Sequence, residues 1–303
     1  MPPFTRPLTL VLLHFLLRVL TPLPLRLLHG LGSALGGGLA WYPGRTQHYA
    51  RTNIDLCFPE QSTEQRERLY RASLRELGKC ALEYPAVLRR KPQHLERWIR
   101  GVSGEEHLIE AYRRGRGVIL ATPHLGCWEI LGPWLAARYP FAALYRPPRN
   151  PLVEPILLQS RTRNGARVFP ITPTGIRHLL RELRSGTITL ILPDQEPDGA
   201  EPFAPFFGQP AKTMTLLSRL AEKSGATVLF IFAERLPRGA GFQIRVLEAE
   251  EEIASKDLER ATAALNRGVM ACVRMAPAQY SWPYRRFHTQ PDGRRLYKVK
   301  RKR

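Results

Sequence analysis

Short apolar runs alternate with longer amphipathic stretches along the chain beyond residue 117. Apolar, β-branched runs are typical of strands buried on both faces of a sheet. Apolar residues three and four positions apart predict helices with one buried face. The strands are predicted at 117–122, 142–146, 166–171, 187–192, 227–234 and 242–250, and the helices at 128–139, 175–186, 213–225 and 257–275.

The alternation predicts an α/β fold in which a mostly parallel or mixed sheet is flanked by helices. Upstream, leucines among charged residues predict two further helices, over 63–84 and 104–117. A chain of 303 residues can bury a sizeable core. We expect the chain to have three parts: a membrane-associated segment at 1–45, the main domain at 46–291 and a basic tail at 292–303.

The amino-terminal segment is apolar but interrupted. Residues 7–17 carry no formal charge, whereas Arg18 and Arg26 break the apolar run and Pro22 and Pro24 break the helix. A spanning helix needs about 20 apolar residues. The pattern therefore favours a helix that lies in the membrane interface or inserts shallowly, with its basic residues toward head groups. A single span and an ordinary buried helix remain alternatives.

The net charge of the chain is strongly positive, at +20. Such a surface favours acidic partners: phospholipid head groups, a phosphorylated glycolipid, an acidic carrier protein or nucleic acid. Nucleic-acid binding predicts aromatic residues interleaved with basic ones on one surface. The basic residues here are dispersed instead, and the run at 296–303 predicts a solvated end that leans on an anionic membrane.

The cysteines do not form a recognisable chemical motif. There are four, and no two are spaced as CxxC: Cys57, Cys80, Cys127 and Cys272. Reduced thiols are expected rather than a disulfide framework or a zinc site. The patterns GxSxG, HExxH, GxGxxG and the P-loop are also missing, and Cys127 is interpreted as a packed small residue rather than a nucleophile.

The stretch ATPHLGCWE holds a candidate catalytic pair, His124 and Glu129. Residues five apart diverge on an unbroken helix, so the two side chains can meet only if the chain turns between them. Pro123 and Gly126 offer that turn. His124 would then lie at the carboxyl end of a strand, where open α/β sheets place their sites. A neutral imidazole can accept a proton from a hydroxyl, and a carboxylate on its other nitrogen can orient it.

Other polar residues follow predicted strands. Arg146 and Arg149 come after the strand at 142–146, and Arg161 lies in the next stretch. For any one arginine, a solvated surface charge is the alternative. Asp194 follows the strand at 187–192, and a carboxylate directly after a buried strand points into the crevice.

These residues lie in blocks that resemble the lipid A biosynthesis acyltransferases, the lauroyl/myristoyl or late acyltransferase family, within the larger glycerolipid acyltransferase group with an HxxxxD/E motif. One block alone is weak evidence, but five in order are specific: NIDLCFPE at 53–60, PHLGCWE at 123–129, YRPPRNPLVEP at 145–155, LPDQEP followed by FAPFFGQPAKT up to 213, and MAPAQYSWPYRRFHTQP at 275–291. The block LPDQEP departs from the PDHD form of some members, which leaves the acyl chain and the acceptor subclass open.

The resemblance implies transfer of a fatty acyl chain from acyl carrier protein to a hydroxyl of a lipid A precursor, at the cytoplasmic face of the bacterial inner membrane. It assigns His124 as general base and Glu129 as its partner. Asp194, Arg161 and Arg146 match further site positions of the family. The reaction would need no cofactor and no metal, and no nucleic acid partner. Backbone amides near Gly126 are our own expectation for stabilising the oxyanion.

Three other functions remain open from the sequence. The nearest is an acyltransferase of a phosphatidate precursor, an ornithine lipid or another glycolipid, although QYSWPYRRF at 279–287 argues against it. The second is a non-catalytic role, as a basic protein that binds membrane surfaces or nucleic acid. The third is a metallohydrolase using His124 and Glu129, which would need a further nearby ligand.

Overall fold

The computed structural model describes residues 17–147, 154–162 and 165–297. Its helices, numbered along the chain, are α1 (Leu25–Leu39), α2 (Arg45–Cys57), α3 (Thr63–Arg89), α4 (Pro92–Glu96), α5 (Glu105–Arg113), α6 (Leu131–Ala136), α7 (Glu154–Thr162), α8 (Pro173–Arg184), α9 (Leu216–Ser224) and α10 (Leu258–Met275). Its strands are β1 (Ile99–Ser103), β2 (Val118–Ala121), β3 (Phe141–Tyr145), β4 (Arg167–Pro170), β5 (Ile188–Ile191), β6 (Phe203–Phe206), β7 (Gln209–Lys212), β8 (Thr227–Arg235) and β9 (Phe242–Glu248).

The main sheet has seven strands in the order β1-β9-β8-β2-β5-β3-β4. Strands β8, β2, β5, β3 and β4 run parallel, whereas β9 is antiparallel to β8 and β1 is parallel to β9. The predicted mostly parallel or mixed sheet is therefore confirmed. Strands β6 and β7 form a separate antiparallel hairpin.

Both faces of the central strands are buried. In β2, Val118 and Leu120 join one apolar cluster, and Ile119 and Ala121 join the other. Successive side chains of a strand point to opposite faces, so an uninterrupted apolar run requires cover on both sides. The helices supply that cover, as the pattern of the sequence predicted.

Helix α1 was not predicted, because its sequence is rich in glycine, which disfavours helix. The glycines instead let α1 approach α3 closely. A Cβ atom on Gly36 would come within 2.0 Å of the Leu74 carbonyl oxygen, and a Cβ atom on Gly78 within 2.0 Å of the Gly32 carbonyl oxygen. Backbone contact between the two helices therefore outweighs the helix propensity of the single residues.

The predicted membrane-associated segment at 1–45 is only partly described. Of the apolar run at 7–17, only Leu17 lies among the described residues, and Leu17 is buried. No described helix is both long enough and apolar enough to cross a bilayer. In α1, leucines on one face remain exposed beside the face that packs on α3.

The basic tail predicted at 292–303 is described as far as Tyr297. The Tyr297 hydroxyl donates to Asn53 Oδ1 at 2.5 Å and accepts from the Phe287 amide at 3.0 Å. The side chain thus ties the start of this segment to α2, whereas the charge run from residue 298 onward lies outside the described residues.

Candidate active site

The candidate site lies at the carboxyl-end edge of the parallel strands. Strands β2 and β5 are neighbours, and their register pairs Ala121 with Ile191. His124 and Asp194 each lie three residues beyond that pair, so parallel pairing brings the two side chains to the same point of the edge. The backbone continues this pairing, since the Thr122 amide donates to the Ile191 carbonyl at 2.9 Å.

Asp194 holds His124 through both carboxylate oxygens. Oδ1 lies 2.8 Å from His124 Nδ1, and Oδ2 accepts the His124 backbone amide at 2.9 Å. An ionised carboxylate accepts hydrogen bonds and cannot donate one, so Nδ1 of the imidazole must carry the proton. The other nitrogen of the neutral ring, Nε2, then carries the lone pair. Asp194 is almost wholly buried, at 3 % exposure, while part of the imidazole remains accessible.

The electrostatics of the pair favour the charged forms of both groups. Burial disfavours the imidazolium, but the charge and hydrogen bond of Asp194 and the charge of Glu129 outweigh it and raise the pKa of His124. Burial alone would raise the pKa of Asp194, yet the imidazole and the hydrogen bonds it receives lower that pKa. The carboxylate therefore stays ionised and stabilises a proton on the ring.

Glu129 does not occupy the orienting position that the sequence suggested for it. It lies in a single 3₁₀ turn, Trp128–Ile130, which follows Gly126 at a φ of +61°. Its Oε1 is 3.7 Å from Nη2 of Arg161, whereas Nδ1 of His124 is taken by Asp194. The turn that brings Glu129 back to the site edge directs its carboxylate toward α7, so Glu129 acts on His124 through its charge.

Two further groups contact the imidazole. The amide Nε2 of Gln195 lies 3.2 Å from His124 Nε2, the nitrogen that would accept a proton. The ring of Trp128 packs edge-on against His124, with centroids 5.1 Å apart. Sequence reasoning did not assign Gln195, although it directly follows Asp194 in the block that departs from the PDHD form.

The segment that carries His124 is hydrogen bonded through its backbone to β8 and to the carboxy-terminal block. The Gly126 amide donates to the Gln279 carbonyl at 3.2 Å, and the Cys127 amide donates to the Ala233 carbonyl at 2.9 Å. The His124 carbonyl accepts from the Ser281 amide at 2.9 Å. The expectation that amides near Gly126 stabilise an oxyanion is therefore wrong for Gly126 and Cys127, because their N–H groups are already used.

This backbone arrangement requires glycine at position 126. A Cβ atom at this position would come within 2.0 Å of the Ala233 carbonyl oxygen, and the φ of +61° disfavours other residues. The carbonyl of Gly126 accepts a hydrogen bond from Nη2 of Arg235, the last residue of β8, at 2.9 Å. Arg235 is buried and pairs with Glu83 of α3. Neither residue carried a motif in the sequence, so this contact was missed.

An apolar cavity of about 110 Å³ opens beside Glu129. It lies between α6 and strands β3, β4 and β5 and is lined by Trp128, Glu129, Gly132, Pro133, Phe141, Ala143, Leu144, Arg161, Val168, Leu190 and Leu192. The only charged side chains among these are Glu129 and Arg161, the pair described above. The cavity thus combines an apolar wall with one ion pair, an arrangement typical of sites for amphipathic ligands.

The remaining predicted arginines are placed differently. Arg146 follows β3 at the same edge, but its guanidinium lies in solvent and pairs with Asp198 at 3.1 Å. It does not line the cavity beside Glu129. Arg149 lies outside the described residues. Of the three predicted arginines, Arg161 is therefore the one that the described structure brings beside Glu129.

Cysteine and metal chemistry find no support in the described residues. Cys127 is buried, and burial raises the pKa of its thiol well above the ordinary value, so the reactive thiolate is disfavoured. The described part of the chain contains no group of three or more histidine, cysteine, aspartate or glutamate side chains that could hold a metal ion.

Comparison with known proteins identifies the family of this chain. Residues 4–289 match the family model for bacterial lipid A biosynthesis acyltransferases. The chain is 28% identical to the lipid A biosynthesis lauroyltransferase of Escherichia coli K12, in an alignment that covers 89% of this chain and 88% of that protein. It is 30% identical to the lipid A biosynthesis palmitoleoyltransferase of the same organism, over 89% of this chain and 88% of that protein. It is 29% identical to a lipid A biosynthesis acyltransferase of Haemophilus influenzae, over 93% of this chain and 88% of that protein.

The match covers nearly the whole chain, including the strand ends that carry His124 and Asp194 and the segment at 275–289 that seats them. The resemblance seen in five sequence blocks is thus confirmed over the full domain. The chain belongs to the bacterial lipid A biosynthesis acyltransferases.

Proposed function

We propose that this acyltransferase moves a fatty acyl chain from acyl carrier protein to a hydroxyl of a lipid A precursor, with His124 as general base. The observation that carries the proposal is the contact between Asp194 and His124 Nδ1 at 2.8 Å, which leaves the lone pair on Nε2 and turns that nitrogen toward a donor, here the Gln195 amide at 3.2 Å. Membership in the lipid A acyltransferase family supports the class of acceptor.

The reaction is a direct transfer in two proton movements. Nε2 of His124 accepts the proton of the acceptor hydroxyl as its oxygen attacks the thioester carbonyl. The new C–O bond forms, the C–S bond breaks, and the imidazolium returns its proton to the leaving thiolate. Asp194 stabilises the imidazolium between these steps, as a carboxylate does in catalytic triads. Gln195, at 3.2 Å from Nε2, occupies the place that the acceptor hydroxyl would take.

The cavity beside Glu129 is our candidate site for the acyl chain. Most of its walls are apolar side chains, among them Phe141, Val168 and Leu190, and one wall is Trp128, whose ring contacts His124. Burial of a methylene group stabilises by about 0.8 kcal/mol, so the depth of such a cavity favours particular chain lengths.

Arg161 and Glu129 are proposed to act at the mouth of this cavity. Arg161 offers a half-buried guanidinium that can contact a phosphate or a thioester oxygen. Glu129 holds that guanidinium and adds to the negative charge near His124. Arg146 is proposed to contact the phosphorylated acceptor, since its exposed guanidinium at the site edge matches the charge of a phosphate. Arg149, which lies outside the described residues, is proposed for the same role from its charge alone.

We also propose that the protein works at the cytoplasmic face of the inner membrane and that α1 contacts the bilayer. One face of α1 and the residues after it expose an apolar stripe: Leu27, Leu31, Leu35, Leu39, Trp41 and Tyr42. Leu35 is 61% exposed and Trp41 is 83% exposed. Helix α1 also packs against Gly239, just beyond the end of β8, which supports a bilayer near the site edge.

His124→Ala is expected to reduce turnover by about 10³-fold or more, because the proton of the hydroxyl loses its acceptor. The measurement is acyl transfer from acyl carrier protein thioesters to a lipid A precursor. His178→Ala is the matched control, since the ring of that histidine packs on Phe169, and it should keep its rate. Full activity of His124→Ala would end the general-base hypothesis.

Asp194→Asn is expected to move the pH dependence of turnover to lower pH. The neutral imidazole is the active form, so the rate rises as pH passes the pKa of His124. Asp194 raises that pKa, so its loss shifts the acidic limb downward. The plateau should also fall by about 10²-fold or more, because the amide does not hold the reactive tautomer. Rate profiles of both proteins test this; an unmoved limb contradicts it.

Gly132→Leu is expected to shift the preference toward shorter acyl chains. Gly132 lines the cavity, and open space surrounds the position that a side chain would take. The larger residue would fill space used by the end of a long chain, at about 0.8 kcal/mol for each methylene displaced. A series of carrier thioesters tests the profile, with the shortest donors as internal control. An unchanged length profile would place the acyl chain elsewhere.

Leu35→Glu is expected to weaken binding to anionic phospholipid vesicles by about 10-fold or more, because an apolar contact becomes a repelled charge. Met275→Glu is the matched control, since Met275 is also exposed but lies at the end of α10. Both changes alter net charge equally. Sedimentation with vesicles measures the difference, and equal binding of the two variants would show that α1 is not the contact.

A further inference from the structure

A buried guanidinium holds the segment that carries His124 through one of its backbone carbonyls. Nη2 of Arg235 donates to the Gly126 carbonyl at 2.9 Å, and the Gly126 amide donates to the Gln279 carbonyl. The side chain of Gln279 in turn pairs with the Arg235 backbone, accepting from its amide at 2.8 Å and donating to its carbonyl at 2.9 Å. Gly126 is therefore fixed at both its polar groups by two residues that are themselves joined.

Arg235 is oriented by a carboxylate from another helix. Glu83 of α3 accepts from Arg235 through both oxygens: Oε1 lies 2.5 Å from Nη2 and Oε2 lies 3.0 Å from Nε, a forked contact that fixes the guanidinium plane. Glu83 Oε2 also lies 2.8 Å from Nε2 of His29, in α1. The buried carboxylate remains ionised, since the arginine charge offsets the effect of burial and lowers the pKa of Glu83 to about 2.

Stability is a weak explanation for this pair. All three side chains are buried, at 4 % exposure or less. Apolar residues of similar volume often stabilise a protein as well as a buried ion pair does, because the charges lose their hydration. What an apolar pair cannot supply is a donor aimed at the Gly126 carbonyl, two residues from the base.

We propose that Arg235 is a positioning residue for His124, and that Glu83 orients it. The guanidinium fixes the peptide between Gly126 and Cys127, which sets where the imidazole lies relative to Asp194 and to the cavity. Misplacement of a catalytic group by about 1 Å can cost on the order of 10²-fold in rate. This inference rests on the proposed role of His124 as base.

A consequence concerns helix α1. Because Glu83 also contacts His29, the segment that holds the base and the helix with the exposed leucines share one buried network. The position of α1 on α3 thus bears on the site itself.

The test replaces the ion pair by apolar residues in the double variant Arg235→Met/Glu83→Leu. The matched control is Arg245→Met/Glu234→Leu, which removes a partly exposed pair at 2.7 Å between β9 and β8, next to Arg235 in sequence. Turnover of the first variant is expected to fall by about 10- to 100-fold with KM within about threefold of wild type. The control is expected to keep both constants.

Amide hydrogen exchange provides a readout that does not need activity. Peptides covering 123–130 are expected to exchange faster in Arg235→Met/Glu83→Leu than in the control, while peptides of β2 and β5 exchange alike. Wild-type turnover and unchanged exchange in the folded double variant would overturn the proposal. If the wild type itself transfers no acyl group, the proposed function fails, and the exchange comparison still decides whether Arg235 holds this segment.

Arg235→Lys covers the case in which the double variant does not fold. A lysine keeps the charge beside Glu83 but lacks the fork that reaches both Glu83 and the Gly126 carbonyl. Reduced turnover together with faster exchange at 123–130 supports the proposal. Wild-type values for both in Arg235→Lys overturn it.

Discussion

The hydrogen bonds between Asp194 and His124 connect the ends of two neighbouring parallel strands, and the organisation of the site depends on them. Each residue lies the same distance beyond the pair Ala121 and Ile191, so the register of β2 and β5 sets the contact. A carboxylate that receives both the ring and the backbone amide of one histidine fixes its tautomer and its orientation together. The acyl transfer that we propose then requires a hydroxyl and a thioester to reach Nε2.

The backbone around His124 is held by hydrogen bonds to parts of the chain that are distant in sequence. Ala233, Gln279 and Ser281 bond peptide groups of the segment, and Arg235 bonds the Gly126 carbonyl. Buried peptide groups without partners are costly, so a turn at this depth is stable only if such partners surround it. The carboxy-terminal block at 275–291, which the sequence marks as a family signature, contributes here through its backbone and through the side chain of Gln279.

The sequence predicted six of the seven strands of the main sheet, most of the helices and the edge of the sheet that carries the site, because buried strands leave apolar runs and amphipathic helices leave a periodic pattern. It did not predict strand β1. It missed helix α1, whose glycines disfavour helix until Gly78 of α3 packs against them. It also missed the hairpin of β6 and β7, since Pro205 and Pro210 are unusual in strands. Close packing and a two-stranded pairing are contacts between segments, and they leave no period in either segment alone.

The same division holds at the site. The sequence alone determined that His124 and Asp194 follow buried strands, because residues that end a parallel strand project into the crevice of the sheet. It did not determine which carboxylate meets the imidazole, and spacing along the chain favoured Glu129. Only the tertiary structure decided for Asp194, since strand order places β5 beside β2 and the turn after Gly126 carries Glu129 toward Arg161. Distance along a chain limits what a residue can reach, whereas the pairing of strands selects its neighbour.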